Sequence, residues 1–96
     1  MMKMVDMDRI AILIVSRYIA KHLDKAELHR QFSFDVFIVW KCKTLRNWKW
    51  MISSTLSDGM YYEVTYNGEK EEFYLDAYRK IENQRIPLDE GCEIRE

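Results

Sequence analysis

The chain has 96 residues and a mass of 11.7 kDa, with 15 Lys plus Arg against 16 Asp plus Glu and a formal net charge of −1. That is the size of one domain around one core, and 48% hydrophobic with 32% charged residues is a folding mixture rather than a disordered one. A pI near 6.1 argues against a strongly basic nucleic-acid binder, and the longest apolar run, Ile10–Val15, is far short of a membrane span.

Residues 6–30 read as a helix. Asp6 or Asp8 suits its N-cap, where an acid also meets the positive end of the helix dipole. Ile12, Val15, Ile19, Leu23 and Ala26 recur at three and four residues, the helical period. Ile10, Leu13, Ile14 and Tyr18 widen that stripe, and one sheet covers only part of so broad an apolar surface. Two readings account for it: deep burial of the helix against the sheet, or a helix that also meets a second copy in a homodimer.

Four segments rich in β-branched and aromatic residues follow: Phe34–Lys43, Asn47–Thr55, Met60–Tyr66 and Lys70–Leu75. Thr44–Arg46 suits a three-residue first loop, and Ser57–Asp58–Gly59 a three-residue second loop with a left-handed Gly. Asn67–Gly68 suits a type I′ turn. These loops predict residue 40 opposite 50, 54 opposite 62 and 62 opposite 73. Paired residues share a face. One face then collects Val36, Ile38, Trp40, Cys42, Trp48, Trp50, Ile52, Met60, Tyr62, Val64, Phe73 and Leu75. The other collects Phe37, Val39, Lys41, Lys43, Lys49, Met51, Ser53, Tyr61, Glu63, Glu72 and Tyr74. A two-residue first loop would instead mix Lys41 and Lys43 with Trp48 and Trp50, so the segregated register is preferred.

Asp76 suits the cap of a second helix over 77–84, whose Ala77, Tyr78 and Ile81 are expected to face inward, and Pro87 its stop. Residues 88–96 carry four acids and little to bury, which predicts a frayed tail behind a single domain over 1–87. The predicted fold is α+β: a four-stranded antiparallel meander with an N-terminal and a C-terminal helix on its Trp-rich face, a two-layer sandwich.

Little in the chain suggests chemistry. Cys42 and Cys92 form no CxxC and no Cys/His cluster, so two free thiols in a reducing compartment are expected. His22 and His29 lie two turns apart on the predicted helix, about 10 Å, too far for one metal. Glu71 and Glu72 are strand neighbours that point to opposite faces. No phosphate loop, dinucleotide fingerprint, zinc-protease helix or nucleophile elbow occurs. Neither an enzyme nor a bound cofactor or metal is expected. No small-residue cleavage site follows an apolar stretch of signal-peptide length, so no signal peptide is expected either.

Three blocks carry a resemblance: VWKCKTLRNWK (Val39–Lys49), DGMYYEVTYNGEK (Asp58–Lys70) and YLDAYRKIEN (Tyr74–Asn83). In order and spacing they resemble a family of small proteins encoded by phages and prophages of Gram-positive bacteria. They cover roughly half of the chain. That family has no assigned activity, so the resemblance implies a setting, the cytoplasm of an infected or lysogenic bacterium, and no mechanism.

A chain of this kind is expected to act by binding, as a phage accessory protein that engages a host or phage protein and inhibits a host enzyme or defence system. The expected partner face is the open side of the sheet: Phe37, Val39, Met51, Tyr61 and Tyr74 as anchors, rimmed by Lys41, Lys49, Glu63 and Glu72. The alternative is a nucleic-acid-binding module. WKCKTLRNWKW (Trp40–Trp50) interleaves aromatic and basic residues, as base stacking and phosphate contact require. The order of elements is also similar to that of the double-stranded-RNA-binding fold, although no basic cluster opens the second helix. The predicted register opposes this alternative, because it sends all three Trp to the covered face and the lysines to the other. Nucleic-acid binding is therefore expected to be weak, and no membrane partner is expected.

Overall fold

The computed structural model describes residues 4–23 and 33–88. It contains α1 (Met4–His22), β1 (Val36–Thr44), β2 (Asn47–Ser54), β3 (Met60–Asn67) and β4 (Glu72–Arg79). The strands form one antiparallel sheet in the order β1-β2-β3-β4, and α1 lies across one face of it. This is the α+β class and the meander that the sequence predicts.

Helix α1 forms where apolar residues recur at four-residue steps. Met7, Ala11, Val15 and Ile19 make a single buried stripe. It packs on Trp48, Trp50, Ile52, Tyr62 and Val64, and these nine side chains are the core. Helix α1 starts at Met4, so Asp6 and Asp8 lie inside it and neither is its N-cap. At the other end Lys21 and His22 occupy the last turn, where positive charge suits the dipole. The His22 ring donates from Nδ1 to the Tyr18 carbonyl at 2.8 Å and stacks on the Tyr18 ring at 4.2 Å. The rest of the predicted helix, 24–32, with Ala26 and His29, lies outside the described residues.

The three loops all differ from the sequence expectation. The first has two residues, because Thr44 pairs with Asn47 and Leu45 takes a left-handed φ of 55°. Lys43 then faces Trp48, Lys41 faces Trp50 and Trp40 faces Met51. A bulge between Ile38 and Trp40 resets the register, so that Ile38 meets Ile52 and Val36 meets Ser54. The second loop spans 55–59 and is tied by Asp58 Oδ1, which accepts from Met60 N at 3.1 Å. Gly59, with φ 68°, holds the left-handed position expected of it.

The third loop spans 68–71, since Asn67 pairs with Glu72. Its left-handed residue is Glu71, φ 53°, not Asn67 or Gly68. Asn67 Oδ1 accepts from the amides of Glu69 and Lys70 at 3.0 and 3.2 Å and so builds the turn with its side chain. Gly68 is required for space, because a Cβ there would lie 2.2 Å from the Arg46 carbonyl oxygen of the neighbouring turn.

The predicted C-terminal helix over 77–84 is absent. Ala77 pairs with Tyr62, Tyr78 with Tyr61 and Arg79 with Met60, so β4 takes over the first half of that segment. The ladder closes with Lys80 N donating to Gly59 O at 2.7 Å. Sheet pairing prevails because it satisfies a whole row of β3 backbone groups. A short helix there would have offered little for the core: Ile81, one of its few apolar residues, is 95% exposed. Residues 89–96 of the predicted tail, with Cys92, lie outside the described residues.

Candidate binding face

The sheet has two different faces. On the covered face, Trp50 is fully buried between Trp48, stacked at 5.6 Å, and Phe73, stacked at 6.2 Å. Its indole Nε1 donates to Asp8 Oδ1 of α1 at 2.9 Å. The same carboxylate receives Lys41 Nζ at 2.6 Å. Burial works to raise the Asp8 pKa, but the Lys41 and Trp50 hydrogen bonds and the Lys41 charge outweigh it and hold the carboxyl below its ordinary range. Lys43 lies over the Trp48 ring at 5.5 Å, a cation–π contact. Two of the three lysines expected on the open face are thus on the covered side, Lys41 as helix anchor and Lys43 as ring cap.

The open face carries what the register places opposite Lys49 and Met51. Across the four strands the rows read Thr44, Asn47, Asn67, Glu72; then Cys42, Lys49, Thr65, Tyr74; then Trp40, Met51, Glu63, Asp76. The last row holds Phe37 opposite Ser53 and Tyr61 opposite Tyr78. No described element covers this side. Trp40 is 45% exposed, Tyr74 44% and Tyr78 51%. Between Trp40 and Tyr74 the sheet forms a shallow concavity of about 500 Å³, with Cys42, Lys49 and Thr65 among its lining.

Its charge is predominantly negative. Glu63, Glu72 and Asp76 stand against Lys49, whose Nζ lies 3.6 Å from Glu63 Oε2. The Tyr74 hydroxyl donates to Glu72, and this bond is the main reason its pKa is raised. The Asp76 charge, then that of Glu63, raises the Tyr78 pKa in the same direction.

Of the nine residues expected to form the partner face, Phe37, Lys49, Met51, Tyr61, Glu63, Glu72 and Tyr74 share this side. Val39 is the extra residue at the bulge and is 48% exposed. Lys41 is on the opposite face. Sequence reasoning missed Trp40, Cys42, Asp76 and Tyr78. The alternation Glu72, Tyr74, Asp76, Tyr78 was a usable signal for the last two, had β4 been extended. Trp40 and Cys42 gave no such signal, because their face depends on a two-residue turn without Gly or Asn.

Among the described residues, no group of three or more His, Cys, Asp or Glu side chains is placed to hold a metal ion. No described helix is long and apolar enough to cross a membrane. Cys42 is a free, exposed thiol.

A sheet with one helix-covered face and one aromatic face defines a small α+β protein with an open sheet surface. The chain belongs to the family of unknown function DUF6275, whose model matches residues 8–88. That match takes in α1 from Asp8 onward and all four strands. No curated protein and no solved structure matches the chain.

Proposed function

We propose that this protein is a non-enzymatic binding module that takes a protein partner on the open face of its sheet. One observation carries the reading: Phe37, Trp40, Tyr61, Tyr74, Tyr78 and Met51 share a sheet face that no described element covers. A soluble sheet could have made these positions polar, and aromatic and Met anchors within a charged rim are what protein interfaces use. The resemblance to small phage and prophage proteins supports a setting in the cytoplasm of a bacterial host. There the partner is a host or phage protein, and binding inhibits a host enzyme or defence system.

Nucleic-acid binding is the second reading. The exposed Trp40 indole favours it, being open to stacking beside Lys49. The surrounding acids oppose it, because three carboxylates outweigh the single lysine and repel phosphate. The test is capture of partners from host lysate by the wild-type chain, Trp40→Ala and Tyr78→Ala. The reading expects one protein retained by the wild type and lost with both variants, at about 2 kcal/mol or more per anchor. Retention by both variants would move the interface off this face.

A further inference from the structure

The outer surface of α1 complements the open sheet face in both charge and spacing. Arg9, Leu13 and Arg17 are exposed and follow one another at four-residue steps, with exposed Lys21 continuing the line. This is a cationic stripe with an apolar centre. Arg9 and Arg17 are about 12 Å apart along the helix axis at 1.5 Å per residue. On β4, Glu72 and Asp76 are about 13 Å apart at 3.3 Å per residue, and Tyr74 stands midway between them. A helix laid along β4 would set each Arg against a carboxylate and Leu13 against Tyr74.

We propose that the occupant of the open face is a second copy of this chain, seated through the outer stripe of its α1. The proposal rests on the open face being a protein-binding surface and names a partner for it. The contact is heterologous: one copy offers its helix and the next its sheet, so the pair still presents one free sheet face and one free helix stripe. Association therefore continues past two copies as concentration rises. Because its charges lie at an exposed rim, it weakens with salt. A foreign partner on the same face competes with it.

Sedimentation equilibrium tests this, from about 10 to about 500 µM and at about 50 and about 500 mM salt, the range of weak interfaces and of strong screening. The wild type should show an average mass that climbs beyond twice 11.7 kDa at low salt and falls back at high salt. The variant Arg9→Glu/Arg17→Glu loses the helix stripe but keeps the sheet face. Glu72→Lys/Asp76→Lys loses the sheet face but keeps the stripe. Each should be monomeric alone. Their equimolar mixture should regain association beyond twice 11.7 kDa, because the native stripe of one variant meets the native acids of the other while the two reversed surfaces also match each other in charge. All four side chains are exposed, and circular dichroism checks that both variants fold. Leu13→Gln, with no charge change, should weaken wild-type association at least about tenfold.

A wild type that stays monomeric throughout overturns the proposal. So does a sheet-face variant that still dimerises alone, which would show a two-fold helix-to-helix contact. A monomeric wild type with Trp40-dependent capture of another protein would sink this proposal and leave the open-face reading standing. Pairing of the two variants with no Trp40-dependent capture would uphold this proposal and leave the open face with a second copy, not a host or phage protein, as its partner.

Discussion

Asp8 lies in the second turn of α1 and ties the helix to the sheet through two donors, Trp50 Nε1 at 2.9 Å and Lys41 Nζ at 2.6 Å. The indole of a fully buried Trp needs an acceptor, and an unmet N–H in a core costs its desolvation. Asp8→Ala should therefore destabilise the fold by about 1–3 kcal/mol in urea denaturation. Asp8→Asn should cost less, since its amide oxygen still accepts from Trp50 while the Lys41 pairing is lost. The pH dependence follows from the lowered pKa. The carboxylate's contribution is complete above its ordinary value of 3.8 and disappears as pH falls from there through the lower folded value. Wild-type stability should thus drop more steeply than that of Asp8→Asn on acidification below about pH 4, where the wild-type carboxylate takes up its proton. Parallel curves for the two proteins would show that Asp8 does not carry this acid sensitivity.

At the scale of elements, the loops decide which side chains meet. Sequence expectation and structure differ by two residues in the β2–β3 pairing and by four in β3–β4, where Ile52 meets Tyr62 and Tyr62 meets Ala77. Even shifts leave every side chain on its expected face, because the side-chain period of a strand is two. The β1–β2 hairpin differs by one, and there the faces exchange: Lys41 and Lys43 turn to the helix, Trp40 and Cys42 to solvent. The bulge at Val39 confines this exchange to the loop end of β1 and returns Ile38 to the core side. Leu45 bears the strain of that tight turn at φ 55°. Leu45→Gly should stabilise the protein by roughly 0.5–1 kcal/mol in thermal or urea melts, since the left-handed cost removed exceeds the unfolded-state entropy added. Gly68→Ala should do the opposite, by about 2 kcal/mol or more, because its Cβ would strike the backbone of Arg46. A neutral Gly68→Ala would mean that the two turns move apart freely.

On the scale of the whole molecule, charge is sorted by layer. Residues 1–57 carry ten Lys and Arg against five acids, and 58–96 carry five against eleven. Among the described residues, Arg9, Arg17 and Lys21 make the outer helix surface cationic, and on the opposite side of the molecule Glu63, Glu72 and Asp76 make the open sheet face acidic. That sorting limits nucleic-acid binding on the open face to what one lysine supports. Titration with a single-stranded oligonucleotide should give a dissociation constant no tighter than about micromolar at physiological salt. Its log–log salt slope should correspond to about one phosphate, near −0.7. Submicromolar binding abolished by Trp40→Ala would overturn the choice of a protein partner.

The class of fold, the four strands, the burial of Trp50 and most of the open face were legible in the sequence. Each depends on local periodicity, on β-rich composition and on parity, and these survive errors of loop length. Val36, Ile38, Ile52, Val64 and Leu75 lie on the expected side for that reason. Three matters were decided only in three dimensions. The face of Trp40 turned on one residue in a loop whose Leu45–Arg46 sequence carries no turn signal, and Lys41 follows Asp8 because the buried indole of Trp50 already holds that carboxylate in place. The fate of residues 77–79 depended on β3 offering them a ladder, a long-range gain that helical signals such as Asp76 and Pro87 cannot report. The spacing of Glu72 and Asp76 acquires meaning only beside Arg9 and Arg17, since two faces of one molecule are compared by geometry, and a sequence records only their separation along the chain.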